Sequence, residues 1–192
     1  MKIGVLAVQG AFAEHEQMLS RLGAEWVELR QLRDMEQPLD GLILPGGEST
    51  VQGKLLHDLG MFEPLQKRIA EGLPVLATCA GLILLAEGSV NDERRWLATL
   101  PVQVRRNAYG RQLGSFYTEA EFSGCGIIPM TFIRAPYIEQ VSDGVEVLAR
   151  VDGNIVAVSY GNQLAMSFHP ELDQDTKVHQ RFLDMAKSFT GK

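Results

Sequence analysis

The first 90 residues alternate short, nearly all-apolar runs with longer amphipathic ones. "KIGVLAV" (2–8) is a β-branched run closed by Gln9-Gly10, and "AFAEHEQMLSRLG" (11–23) follows with Phe12, Met18, Leu19 and Leu22 at helical spacing. A second short strand is predicted at Trp26, Val27 and Leu29, and a third in "DGLILPGG" (40–47), apolar throughout as strands covered on both faces are. From Ser49 to about Ala70 the positions of Val51, Leu55, Leu56, Leu59, Phe62, Leu65 and Ile69 are helical, with an interruption near Gly60 and Pro64. "LPVLAT" (73–78) reads as a fourth buried strand, and a helix from Ala80 to about Glu87 stops at Gly88.

After residue 100 the pattern changes to short alternating runs: "VQVRR", "QLGSFYTEAEF", "MTFIRAP", "VEVLARV", "NIVAVSY" and "LAMSFHP". These predict antiparallel strands extending one side of the sheet, followed by a final helix over about Asp175 to Phe189 with Val178, Phe182 and Met185 on one face. Strands alternating with helices over short connections imply a mostly parallel sheet with helices on both faces. The expectation is an α/β fold of three layers with an antiparallel extension, built as a single domain over residues 1–192. In such sheets ligands bind beyond the carboxyl ends of the strands, where both "PGGEST" and "TCAG" fall.

Composition narrows the function. A net charge of −6 disfavours nucleic-acid binding, because phosphate recognition needs a basic face and the clusters Arg94-Arg95 and Arg105-Arg106 are short. The longest apolar run, Leu73 to Ala86, is too short for a bilayer and holds Pro74 and Gly81, so no membrane span is expected. The N-terminus shows no signal-peptide cleavage pattern. Two cysteines make no disulfide framework, and a reducing cytoplasm is the expected compartment.

One of those cysteines sits where a strand run meets a helix run. A nucleophile elbow needs small residues two positions either side of the nucleophile, and around Cys79 these are Ala77 and Gly81. A thiol at a helix start is favoured as thiolate, and the Ala80 amide would point at an oxyanion on the attacked carbonyl. Alone, the pattern fits a space-filling cysteine equally well. "SFHPEL" supplies the second element: Pro170 biases His169 towards an extended conformation, in which Glu171 projects to the same side and reaches the imidazole. Together they read as a Cys-His-acid triad. His15, His57 and His179 lie in helical stretches and are read as solvated surface residues, and Cys125 is read as structural. In "LPGGEST" two glycines let backbone amides approach a ligand, and Ser49 or Thr50 is placed to cap the next helix. No Gly-Lys-Ser/Thr follows, so this is not a phosphate loop.

The ordered set "PGGEST", "TCAGLILL", "RNAYGRQ", "FIRAP" and "SFHPEL" resembles the glutaminase subunits of pyridoxal 5′-phosphate synthase, which are class I (triad) glutamine amidotransferases of flavodoxin-like fold. The resemblance runs from "IGVLAVQG" to the last helix. It implies hydrolysis of L-glutamine to glutamate and ammonia, with ammonia passed to a PdxS-type synthase subunit in a hetero-oligomeric complex that makes the vitamin B6 cofactor. By motif it assigns Cys79 as nucleophile, His169 as general base and acid, and Glu171 as its orienter. It assigns Gly47, Glu48, Ser49, Arg106, Ile133 and Arg134 to glutamine, and Gly46 or Gly47 with Ala80 to the oxyanion hole. No metal or organic cofactor is implied for this half-reaction, and activity is expected to depend on docking to the synthase through reorientation of the Gly-Gly loop. The chain departs from the family at Ala77, where glycine is usual, and at Val51-Gln52-Gly53. Without the motif context Arg106 and Arg134 would be read as surface ion pairs. Two competing readings are a cysteine peptidase or γ-glutamyl hydrolase, which would need an open cleft, and a regulatory subunit that has lost catalysis, against which the complete triad weighs.

Overall fold

The computed structural model describes residues 1–107 and 114–190. Its first half follows the predicted alternation: β1 (Lys2–Leu6), α1 (Phe12–Arg21), β2 (Glu25–Leu29), β3 (Gly41–Leu44), α2 (Ser49–Asp58), α3 (Phe62–Ala70), β4 (Val75–Thr78) and α4 (Ala80–Leu85). Then come β5 (Ala86–Ser89), β6 (Leu100–Arg105), β7 (Ser115–Phe122), β8 (Gly126–Ile133), β9 (Tyr137–Val141), β10 (Glu146–Val151), β11 (Asn154–Tyr160), β12 (Gln163–Met166) and α5 (Lys177–Thr190).

The main sheet runs β2-β1-β3-β4-β12-β11-β9-β6-β5, with β10 also paired to β11. Strands β2, β1, β3, β4 and β12 are mutually parallel. Because side chains alternate across a strand, each central strand feeds two cores. Leu42, Leu44, Val75 and Ala77 face one side with Leu56, Leu65, Ile69 and Leu82, under α2, α3 and α4. Ile43, Leu76, Val5 and Met166 face the other with Leu19, Val178, Phe182 and Leu183, under α1 and α5. With no strand face left to water, β3 and β4 are apolar at every position, as "GLIL" and "VLAT" are, apart from the fully buried Thr78.

Three expectations are corrected. "LAMSFHP" is not part of an antiparallel extension: β12 ends at Met166 and lies parallel to β4 in the middle of the sheet, in register from Gln163 opposite Val75 to Met166 opposite Thr78. The helix expected to run to Glu87 ends at Leu85, and Ala86–Ser89 becomes a strand parallel to β6. A buried apolar run has no periodicity that separates the last helical turn from the first strand residue. β7 and β8 do not extend the main sheet but form a separate antiparallel pair, whose Phe122, Ile128, Met130 and Phe132 pack on the α1/α5 core. β9, which the pattern does not single out, carries the antiparallel part by pairing with both β6 and β11. The predicted break between helices at Gly60 is present. Among the described residues no helix is long and apolar enough to cross a membrane.

Candidate active site

β3 and β4 are neighbours and parallel, so the loops that leave their carboxyl ends lie side by side. At the end of β4 the chain turns so sharply that Cys79 adopts φ 46° and ψ −99°, a conformation that costs a non-glycine residue about 1–3 kcal/mol. The surroundings hold it there. Its N–H donates to the Met166 carbonyl at 2.8 Å, at the end of β12. A Cβ on Gly81 would lie 2.1 Å from the Leu44 carbonyl oxygen, so glycine is what lets α4 start this close to β3. Ala77 is fully buried and its side chain is absorbed by the core beneath α4, so the departure from glycine there costs the elbow no space.

His169 arrives from β12 and is pinned from two directions. Its N–H donates to the Thr131 carbonyl of β8 at 2.9 Å, and its Nδ1 lies 2.7 Å from Glu171 Oε1. The separate β7–β8 sheet thus positions the imidazole. The backbone differs from the extended run predicted: Pro170–Leu172 forms a 3-10 turn after His169 at φ −113° and ψ 82°, which still brings Glu171 onto the ring. Burial by itself lowers the pKa of His169, but hydrogen bonds to Cys79 and Glu171 and the charges of both outweigh it and raise the value to about 10. Burial pushes the Glu171 carboxyl up, opposed by its bond to His169. His169 therefore sits between Cys79 and Glu171 in surroundings that favour its protonated form.

Cys79 and His169 open into a cavity of about 460 Å³. Gly46, Gly47, Glu48 and Ser49 line it together with Arg106, Ile133 and Arg134. Glu171 lies behind His169, and Ala80 follows Cys79 almost fully buried. Of the two loop glycines, Gly46 donates its N–H to Thr78 Oγ1 at 3.0 Å and accepts from the Ala11 N–H at 3.0 Å. A Cβ at Gly46 would sit 2.3 Å from His169 Cε1, so its role is to let the imidazole approach the loop, not to donate to an oxyanion.

The rim is a chain of charges. The helix cap expected from Ser49 or Thr50 comes instead from Glu48, whose carboxylate accepts from the N–H groups of Thr50 (3.3 Å) and Val51 (3.1 Å). Arg106 Nη2 lies 3.1 Å from Glu48 Oε1, and its Nη1 bonds Asp92. Asp92 also takes Arg94 Nη2 at 2.7 Å, and these bonds, Arg94 foremost, hold its carboxyl well below the usual carboxylate range. Ser49, relieved of capping, has a buried hydroxyl in the cavity wall with no partner among the described residues. Of "RNAYGRQ", Arg106 and Asn107 line the cavity, and 108–112 lie outside the described residues.

Two histidines expected at the surface are not there. His15 and His179 are fully buried, on the inner faces of α1 and α5, where they share helical spacing with Met18 and Leu19 and with Phe182 and Leu183. That spacing is the signal the sequence offers. His57 is exposed, stacked on Phe62. Cys125 lies at the edge of the α1/α5 core, 4.0 Å from the Lys177 carbonyl. Gln9, which the sequence pattern marks only as a strand end, lines the cavity and accepts the Glu48 N–H at 2.9 Å.

The chain is similar in sequence and fold to known proteins. A protein from Desulfitobacterium hafniense strain Y51 described as pyridoxal 5′-phosphate synthase subunit PdxT is 66% identical over 184 residues, 96% of this chain and 92% of that one. A protein of the same description from Streptococcus pneumoniae strain ATCC 700669 is 58% identical, over 97% of this chain and 98% of that one. A crystal structure described as a glutamine amidotransferase superposes with a TM-score of 0.91 at 46% identity, covering 96% of this chain and 98% of that one. PurLQS from Thermotoga maritima shares the fold alone, with a TM-score of 0.69 at 18% identity, covering 95% and 97%. The model of one family matches residues 5–188, both strand-end loops and the His-Pro-Glu turn included, and by that match the chain belongs to the SNO glutamine amidotransferase family.

Proposed function

We propose that this chain is the glutaminase subunit of a pyridoxal 5′-phosphate synthase, hydrolysing L-glutamine to L-glutamate and ammonia and passing the ammonia to a PdxS-type synthase subunit in a hetero-oligomeric complex. The observation that carries the reading is the strained Cys79 elbow facing the His169–Glu171 pair in one cavity. The relatives' description as synthase subunits supports the partner. The same reading takes residues 1–192 as one glutaminase domain acting in the cytoplasm, where a reducing environment keeps a nucleophilic thiol free.

In this reading the Cys79 thiolate attacks the side-chain amide carbon of glutamine. The oxyanion is received by the amides of Ala80 and Gly47, since Gly46 has committed its N–H to Thr78. The His169 imidazolium, already protonated, gives its proton to the departing ammonia and leaves a thioester. Neutral His169 then takes a proton from water, the hydroxide adds to the thioester carbonyl, and collapse expels Cys79 as thiolate and releases glutamate. Glu171 stays ionised and orients the ring. Glutamine offers a carboxylate and an ammonium at its far end, which the lining residues Arg106 and Arg134, and Glu48 respectively, are suited to receive, with the Ser49 hydroxyl and Ile133 also in the lining.

The test is glutamate formation from L-glutamine by the purified chain, alone and with the synthase subunit, with Cys79→Ala as the blank. The expected result is activity that requires Cys79 and rises on complex formation. A complex that forms and yields no Cys79-dependent glutamate removes the reading in favour of a regulatory subunit.

A further inference from the structure

Behind Glu171, between α1 and α5, lies a group of buried polar side chains that the reaction above does not use. His15 Nδ1 and His179 Nε2 are 2.9 Å apart. The other nitrogen of His15, Nε2, lies 3.3 Å from Thr78 Oγ1 and 3.4 Å from Glu171 Oε2, the carboxylate oxygen that faces away from His169. Thr78 Oγ1 is the atom that accepts the Gly46 N–H. Four side chains from α1, β4, the turn after β12 and α5 therefore connect the triad carboxylate to the anchor of the Gly-Gly loop.

Two proton arrangements satisfy the 2.9 Å contact. If His15 carries its proton on Nδ1, its Nε2 lone pair faces the Glu171 carboxylate, and His179 must carry its proton on Nδ1, an atom buried with no partner among the described residues. That arrangement leaves the lone pair beside an anion, with the Thr78 hydroxyl at 3.3 Å as its one donor, and strands a buried N–H on His179. If both rings carry the proton on Nε2, His15 turns its N–H towards Thr78 Oγ1 and the 3.4 Å distant Glu171 Oε2, a buried oxygen with no hydrogen-bond partner among the described residues, and its Nδ1 accepts from His179. Its cost is a bare acceptor nitrogen on His179 and a Thr78 hydroxyl that accepts from both Gly46 and His15, smaller than an anion facing a lone pair. Both rings are neutral at ordinary pH: burial, with the neighbouring His179 and His169, lowers His15 well below its usual value, and burial lowers His179 to about 4.

We propose that His15 is a positioning residue for the triad, its neutral Nε2–H holding the Glu171 carboxylate from the side opposite His169, with His179 setting its tautomer. The inference deepens the glutaminase reading of this site and rests on it. A carboxylate with one oxygen on His169 and the other held by His15 has no freedom to rotate, so Oε1 remains aimed at Nδ1. The groups facing Glu171 are then His169 and His15, which favour its charge, and Glu14 of α1, which opposes it. Those facing His15 are Glu171, His179 and His169.

The experiment compares wild type, His15→Leu and His15→Gln in complex with the synthase subunit, measuring kcat and glutamine KM across pH. Leucine removes the donor; glutamine restores an N–H at the reach of Nε2. We expect His15→Leu to lower kcat roughly tenfold or more, the scale on which partners behind a reacting imidazole act, with KM nearly unchanged. The acid limb of kcat/KM should move to higher pH, because a carboxylate that loses a donor holds its proton more tightly. His15→Gln should recover most of both. A leucine variant with wild-type kcat and pH profile overturns the proposal, as does a glutamine variant no better than leucine. If the leucine variant does not fold, nitrogen NMR of the wild-type chain decides: neutral His15 and His179 both protonated on Nε2 support the assignment, and His15 protonated on Nδ1 or charged at neutral pH sinks it. Absence of Cys79-dependent activity in the wild-type complex would instead remove the glutaminase reading, and the tautomer result would still stand by itself.

Discussion

The inner wall of the cavity and its rim are both built from charged and polar groups, yet they work under opposite conditions. Cys79, His169 and Glu171 are all at least nine-tenths buried, and their contacts are short and directional. Glu48, Arg94 and Arg106 are also held in ion pairs, to one another and to Asp92, but Glu48 and Arg94 are half exposed. In a dry environment a charge that loses its partner has no water to replace it, whereas on the rim solvent and salt substitute readily. On the function proposed above, chemistry is concentrated where contacts are irreplaceable, and substrate capture where they are exchangeable. An Arg106 already paired with Glu48 and Asp92 can trade one partner for an incoming carboxylate.

The comparison breaks most severely at Glu171. Glu171→Gln keeps the shape but removes the charge that helps hold His169 protonated near pH 10, so the His169 pKa should fall and the basic limb of the kcat/KM profile should move to lower pH. The accompanying loss in kcat should be about a hundredfold or more, as when an imidazole loses its orienting carboxylate. An unmoved basic limb would show that Glu171 does not maintain the imidazolium.

Next comes Gly46→Ala, which attacks the same wall through shape alone. The new Cβ must displace His169 by more than an ångström from its 2.3 Å approach, a misplacement that costs about a hundredfold in turnover, while thermal unfolding stays close to wild type. Full activity in this variant would mean the loop moves aside and does not define the imidazole's position.

On the rim, Arg106→Gln should raise glutamine KM roughly tenfold, the worth of one charge-assisted hydrogen bond, and leave kcat nearly unchanged. Added salt should raise the wild-type KM without altering kcat, because it screens the rim and not the buried wall. A fall in kcat with constant KM would place Arg106 in the chemistry instead. The smallest effect belongs to Arg105→Ala, at a neighbouring ion pair with Glu139 (2.6 Å) that is solvated on both sides. Its midpoint of thermal unfolding and its kinetics should match wild type.

Much of the inner wall is legible in the amino-acid sequence, because its elements are local. The all-apolar runs of β3 and β4 announce strands covered on both faces, small residues around Cys79 announce the turn, and His169 and Glu171 are two residues apart. Ser49 looks like a helix cap but is not one, because Glu48, one residue earlier, does that work once Arg106 settles over it. The place of β12 is hidden for a more general reason. Its pattern is that of any buried strand, and its neighbour β4 lies some 90 residues earlier, as the Asn162–Gly72 bond at the same edge shows.

His15 and His179 show where sequence and tertiary structure divide the work. Sequence alone determined the alternation of strands and helices, the cysteine elbow and the pairing of His169 with Glu171, though not the 3-10 turn that delivers it, since each is set by steric and periodic rules within a few residues. Only the tertiary structure decided that the hairpin β7–β8 would pin His169, that Gly46 would spend its amide on Thr78, and that two histidines 164 positions apart would meet behind Glu171. A polar residue on an apolar helix face looks solvated until its partners are known, and a buried hydrogen bond exists only where long-range packing brings both ends together and excludes water.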